Sequence, residues 1–290
     1  MKMRRIIYLL MILAVGIPVF LGYSRPPSRL VSAERMYEVM AKTEFKPGEV
    51  AMVWLDFGPG TLAENQPQAE VILEHLFRRR VPVVLLSQYQ QAEVALQRVP
   101  REVAKRLERE LPDQRWSYGE AWINAGFRPG GAIFIQALVN ASDISKFLGR
   151  DVTGMPITQY PNFAAIGAVE RVKLVGEVTG LTGVFDTIIQ FFQKGGYQPT
   201  VVHGCTSITI PEAYIFLDSG QLKGLLEGIA GAAWYSEVLK QHYPKSDNTK
   251  LLVVNTALSA AHLVIILLIV IGNLVPLYQL LRQRLWGSHG

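Results

Sequence analysis

The chain has 290 residues, 49% of them apolar and 18% charged, with a single cysteine. That composition excludes a disordered chain, a collagen-like fibre and a disulfide-dense scaffold. The formal charge of +5 resides at the ends: Lys2, Arg4, Arg5, Arg282 and Arg284 lie where no acid occurs, while the remaining 24 basic residues balance 24 acidic ones between Tyr23 and Lys250. A neutral centre carries no nucleic-acid signature.

Residues 1–5 form a basic tail, and residues 6–24 are free of charge. As a helix that apolar run approaches the hydrocarbon thickness of a bilayer and is expected to span it. A cleaved signal peptide is the competing reading, weakened because no A-x-A-like arrangement of small residues precedes Arg25. Pro26 and Pro27 then interrupt the helix, and residues 25–250 are expected to form an α/β domain with short connectors.

Ser32 is a candidate cap for a brief helix whose Met36, Val39 and Met40 share a face. Residues 50–56, VAMVWLD, read as a first buried strand, followed by the turn FGPGT. Ala69, Ile72, Leu73, Leu76 and Phe77 recur at helical spacing, with Arg78, Arg79 and Arg80 suited to the carboxyl end of that helix. VPVVLLS at 81–87 reads as a second strand, and apolar positions from Ala92 to Leu111 trace a further helix that Pro100 divides or restarts. Further strands are expected at 131–139, 172–178 and 199–204, with a helix around Val184, Ile188, Ile189 and Phe192 closed by Gly195 and Gly196. Continuous apolar strands separated by helices argue for a parallel sheet covered on both faces. The expected fold is therefore a single three-layer α/β domain with a mostly parallel sheet, flanked by terminal transmembrane helices.

A final soluble helix is read from Asp218, with Gln221 completing a capping-box-like start and Gly224, Gly228 and Ala232 spaced every four residues. Such small residues let two backbones approach, within the domain or at a partner interface. Residues 243–250 connect to an uncharged interval, 251–281, with 258–277 as its expected bilayer core and 282–290 as a second tail. His262 and Asn273 inside it are candidates for contact with another membrane helix or for local satisfaction. The basic start is expected to stay cytoplasmic, which puts both termini there and the central domain outside the cytoplasm.

Ligands of open parallel sheets bind beyond the carboxyl ends of the strands. That rule selects Asp56, Gly58, Gly60, Thr61, Ser87, His203 and Thr206 as a possible pocket for a small polar ligand. LDFGPGTLAEN matches neither common nucleotide-binding glycine motif, so the rival reading is a tight turn feeding a helix. Ser87, His203 and Asp56 are the residue types of a hydrolase triad, but G-x-S-x-G is absent; metal-ligand spacings are also absent, and no cofactor is implied. Cys205 is expected to be buried and inert. In residues 118–131, Tyr118, Trp122 and Phe127 with Glu120, Asn124 and Arg128 suggest either a recognition surface or aromatics covering the core.

These features favour a membrane-anchored assembly or recognition subunit that meets the lipid bilayer and a membrane protein partner, or self-associates. A small-polar-ligand module is the alternative. An anchored enzyme using Asp56, Ser87, Glu120 or His203 ranks third.

Overall fold

The computed structural model describes the backbone of residues 2–193 and 197–286; Gly195, Gly196 and the tail from 287 onward lie outside the described residues. The chain divides into two compact units, residues 28–246 and a terminal unit of residues 1–27 with 247–290.

The first unit is built on six parallel strands, β1 (Val50–Asp56), β2 (Val83–Ser87), β3 (Trp122–Phe127), β4 (Val172–Thr179), β5 (Thr200–Cys205) and β6 (Gly224–Glu227), in the spatial order β3-β2-β1-β4-β5-β6. Every residue of β1 and β2 is buried, which is why their sequences run apolar without alternation. The chain grows outward from β1 to β3 and then returns to place β4 on the other side of β1. The order reverses there, between the loops that follow β1 and β4.

Helices α2 (Val31–Lys42), α3 (Leu62–Arg78), α4 (Glu93–Glu110) and α9 (Gly228–His242) cover one face of the sheet. The other carries α5 (Gly131–Val139), α6 (Ile144–Leu148), α7 (Val184–Phe192) and α8 (Ile210–Asp218). The core on this second side joins Met52, Trp54, Leu86 and Val175 of the sheet to Ile135, Phe185, Ile188 and Phe192 of the helices.

Five expectations need correction. Residues 131–139 form α5, not a strand: Gly130 and Gly131 take φ of 123° and 54°, turning the chain out of β3, and Ile135 and Leu138 then face the core one helical turn apart. A short apolar run does not by itself distinguish a buried strand from a buried helix. Asp218 ends α8 and does not begin a helix, because residues 224–227 pair with β5 through Val202↔Gly224 and Cys205↔Glu227. Gly224, Gly228 and Ala232 therefore do not share one helix face. Gly224 is small because α2 crosses it: an added Cβ would lie 2.5 Å from Met36 Cα. Ser32 lies inside α2, which starts after Leu30, and donates from Oγ to Glu227 Oε1 at 2.5 Å; α4 runs through Pro100 unbroken.

The terminal unit holds α1 (Lys2–Leu21) and α10 (Thr249–Trp286). Both contain stretches long and apolar enough to cross a membrane, Arg4–Leu21 and Thr249–Leu274, and most side chains of these stretches are not buried. The backbone N–H of Arg25 donates to Thr256 Oγ1 at 2.9 Å, and α1 packs on α10, so the pair runs antiparallel. Asn273 Nδ2 donates to Ile269 O at 2.7 Å, which satisfies it within its own helix.

Candidate functional site

The candidate site lies where the strand order reverses, at the carboxyl ends of β1, β4 and β5. Trp54, Glu177 and His203 are register partners on these three strands. Their side chains consequently project from the same face of the sheet. Asp56 closes β1 one pleat further on. Its Oδ1 accepts from Ser87 Oγ at 2.5 Å and from the Gln88 backbone N–H at 2.6 Å, while Thr179 Oγ1 donates to its carbonyl at 2.8 Å.

Glu177 is fully buried, and neither carboxyl oxygen receives a donor from a neutral or basic group. Burial pushes its pKa well above the usual carboxylate range, and the charge of Asp56 and a hydrogen bond to Asp56 push the same way. Asp56 is also raised by burial, against the hydrogen bonds from Ser87 and Gln88. Two carboxyls in dry surroundings cannot both ionise. Of the two, Glu177 is pushed up the more strongly, so it is the member of the pair that favours the protonated form beside Asp56. Trp54 Nε1 and Gln88 Nε2, both buried, find no acceptor. The sequence reading passed over Glu177. Its signal was present, as the one acidic residue in the buried run VKLVGEV, where a charge requires a partner.

His203 donates from Nδ1 to the Glu177 carbonyl at 3.0 Å, and Phe185 stacks on its ring at 4.2 Å. Burial lowers its pKa to about 4, so the ring is neutral at pH 7. Ser87 and His203 sit on β2 and β5, separated in the sheet by β1 and β4. Three strand spacings come to about 14 Å. The Ser87 hydroxyl is directed to Asp56, so these three residues do not assemble as nucleophile, base and orienting acid.

The remaining pocket candidates hold the loops together. Side chains of Tyr89 and Gln91 close over Gly58, where a Cβ would meet them at about 3.0 Å, whereas Gly60 faces open space. Methyls of Thr61 and Thr206 converge on Gly180, at 2.5 and 2.8 Å from where its Cβ would stand. Gln68, unremarked in the sequence, donates from Nε2 to the carbonyls of Cys205, Leu226 and Gly228 at 2.7, 3.1 and 2.9 Å. Glu64 Oε2 accepts from Ser207 N and Oγ at 2.8 and 2.6 Å. Leu181, Phe185, His203, Thr209, Glu212 and Ala213 line a crevice too tight for a water molecule. Cys205 is buried beside it, its thiol pushed up to about 12 by burial.

Residues 118–131 are divided between strand and loop. Trp122 and Asn124 are buried in β3, with Trp122 stacked on Phe77 at 5.4 Å and Asn124 Oδ1 accepting from Gly126 N at 2.9 Å. Tyr118 and Tyr160 donate to Asp151 Oδ2 at 2.5 and 2.7 Å; burial raises Asp151, but the hydrogen bonds from Tyr118, Tyr160 and Thr153 prevail and hold it below the ordinary range. Arg128 donates to the carbonyls of Ala125 and Arg150, and Glu120 is exposed, accepting from Ser117 Oγ. Ala232 is fully buried, and a Cβ on Gly228 would meet Glu64 and Ser207 at 2.6 Å. Among the described residues no three His, Cys, Asp or Glu side chains gather as metal ligands.

No family model, curated protein or solved structure matches the chain.

Proposed function

We propose that this protein is a membrane-anchored assembly or recognition subunit. On this reading α1 and α10 span the membrane with both termini cytoplasmic, and residues 28–246 form an extracytoplasmic domain that binds another membrane protein. The strand order β3-β2-β1-β4-β5-β6 supports a Rossmann-like reading, on which ligands enter where the order reverses. The observation that carries the proposal is how that position is occupied. Ser87 and Gln88 engage Asp56, Gln68 caps three carbonyls, and the crevice beside His203 excludes water. With the edge filled by the chain's own side chains, the outer surface is left for recognition.

The test is isolation of the full chain from its native membranes in mild detergent. A complex of defined stoichiometry is expected; a lone monodisperse monomer overturns the proposal. Protease treatment of sealed spheroplasts checks the topology, since a terminal tag must survive while the domain is cut.

One observation favours a second reading, a module for a small polar ligand: Glu177, Trp54 Nε1 and Gln88 Nε2 have hydrogen-bonding capacity left over. A ligand that used it would raise the melting temperature in a metabolite screen.

A further inference from the structure

The two helical layers differ in charge. The layer of α3 and α4 is laced by ion pairs, with Arg78 bridging Glu74 and Glu110 and Arg106 bridging Glu70 and Glu74. On the opposite side, α5 has no charged residue, α7 has only Asp186, and α8 has only Glu212 and Asp218. The short α6 contributes Lys146, which is paired with Asp143 at 3.5 Å. Asp186, Glu212 and Asp218 form no ion pair among the described residues.

The helices of this layer touch in series, and several large apolar side chains stand exposed on its outer side. Phe134 of α5 contacts Phe147 of α6, α5 packs on α7, and Phe185 of α7 meets Phe216 of α8. Ile133, Ile208 and Ile215 are 77%, 87% and 67% exposed, joined by Phe147, Leu181 and Tyr214. Helix α8 thus turns Ala213 and Leu217 inward while Ile215 faces out. A helix apolar on both sides belongs against a second surface.

We infer that this layer is a docking face for a different protein, one that presents an apolar centre flanked by lysine or arginine. The inference rests on the recognition reading above and names its surface and the chemistry of the partner. Charge selects the occupant. Pairing two copies through this face would bring together helices α7 and α8, whose only charges are acidic, and like charges gathered at an interface are unfavourable. An anionic lipid surface is repelled for the same reason. Basic groups on a partner chain would complement Asp186, Glu212 and Asp218.

The test uses the full chain in its native membranes, with the photoreactive residue p-benzoylphenylalanine placed at position 215 or, on the opposite layer, at the equally exposed Val94. One discrete protein adduct is expected from position 215 and none from 94. Adding Ile208→Lys should abolish that adduct, and high salt should weaken it. Ile133→Lys, on a separate helix, gives a second variant should Ile208→Lys disturb folding. An adduct of twice the chain's mass, an adduct to lipid alone, or one indifferent to both lysine variants overturns the inference. A copurifying partner that crosslinks from 94 and not from 215 moves the face and leaves the recognition reading standing. No adduct from either position, together with a lone monomer in detergent, removes both.

Discussion

Replacing Glu177 with glutamine tests whether Glu177 and Asp56 share a proton between β4 and β1. In the native chain Glu177 has its pKa raised by burial and by Asp56, while in the unfolded chain it ionises in the ordinary carboxylate range near pH 4.5. The folded state therefore binds one proton more than the unfolded state above that range. Stability from this group is fully present below the unfolded value and is lost as pH rises toward the folded one, by about 1.4 kcal/mol per pH unit. Glu177→Gln places an amide N–H where the carboxyl proton stood, so the bond to Asp56 is kept and its dependence on pH disappears. The measurement is urea unfolding of both proteins from pH 5 to 9, the histidine contribution being common to the two. The native protein is expected to decline more steeply than the variant until its pair has released the proton, while the raised Cys205 thiol adds the same decline to both toward pH 9. Parallel pH profiles across this range would refute a shared proton, as would a variant less stable at every pH.

Acid should destabilise the domain by a different route. Burial holds His75 and His203 neutral, with pKa values of about 3 and 4, whereas both protonate near 6.5 when unfolded. Stability from these lowered values is present above 6.5 and falls as pH drops toward 4, and His203→Gln should flatten part of that slope in a pH series of melting temperatures. Gln68→Ala leaves the carbonyls of Cys205, Leu226 and Gly228 without their shared donor, at a cost of about 1–3 kcal/mol. An unchanged urea midpoint would show that water replaces the amide. Gly228→Leu puts a side chain at φ 56° against Glu64 and Ser207. The overpacking alone should cost about 1–3 kcal/mol, seen as a lower melting temperature.

The site was half legible. Asp56 and Ser87 stood out because each is a polar residue closing an apolar strand, and they do meet. His203 was visible for the same reason, but the strand order sets it apart from Ser87, and no spacing along the chain encodes that order. Glu177 signalled itself only as a carboxylate inside a buried run. Its partner lies 121 positions away in sequence and adjacent in the sheet. The role of Gln68 depends on the ends of two later strands and has no local mark.

Apolar runs and helical spacing alone placed β1, β2, β4, β5, α7 and the two long terminal helices, because burial on both faces of a sheet or a wholly apolar helix writes itself continuously into the chain. Residues 131–139 and 224–227 resisted that reading. Each is a short apolar stretch beside glycine, compatible with either backbone form, and each takes its form from what it packs against: α5 from the core at Trp54 and α7, β6 from hydrogen bonds to β5. The difference between the two helical layers was likewise present residue by residue, but only the folded domain gathers α5, α7 and α8 into one charge-poor face. Local periodicity reports whether a segment is buried; which neighbour buries it is a property of long-range pairing.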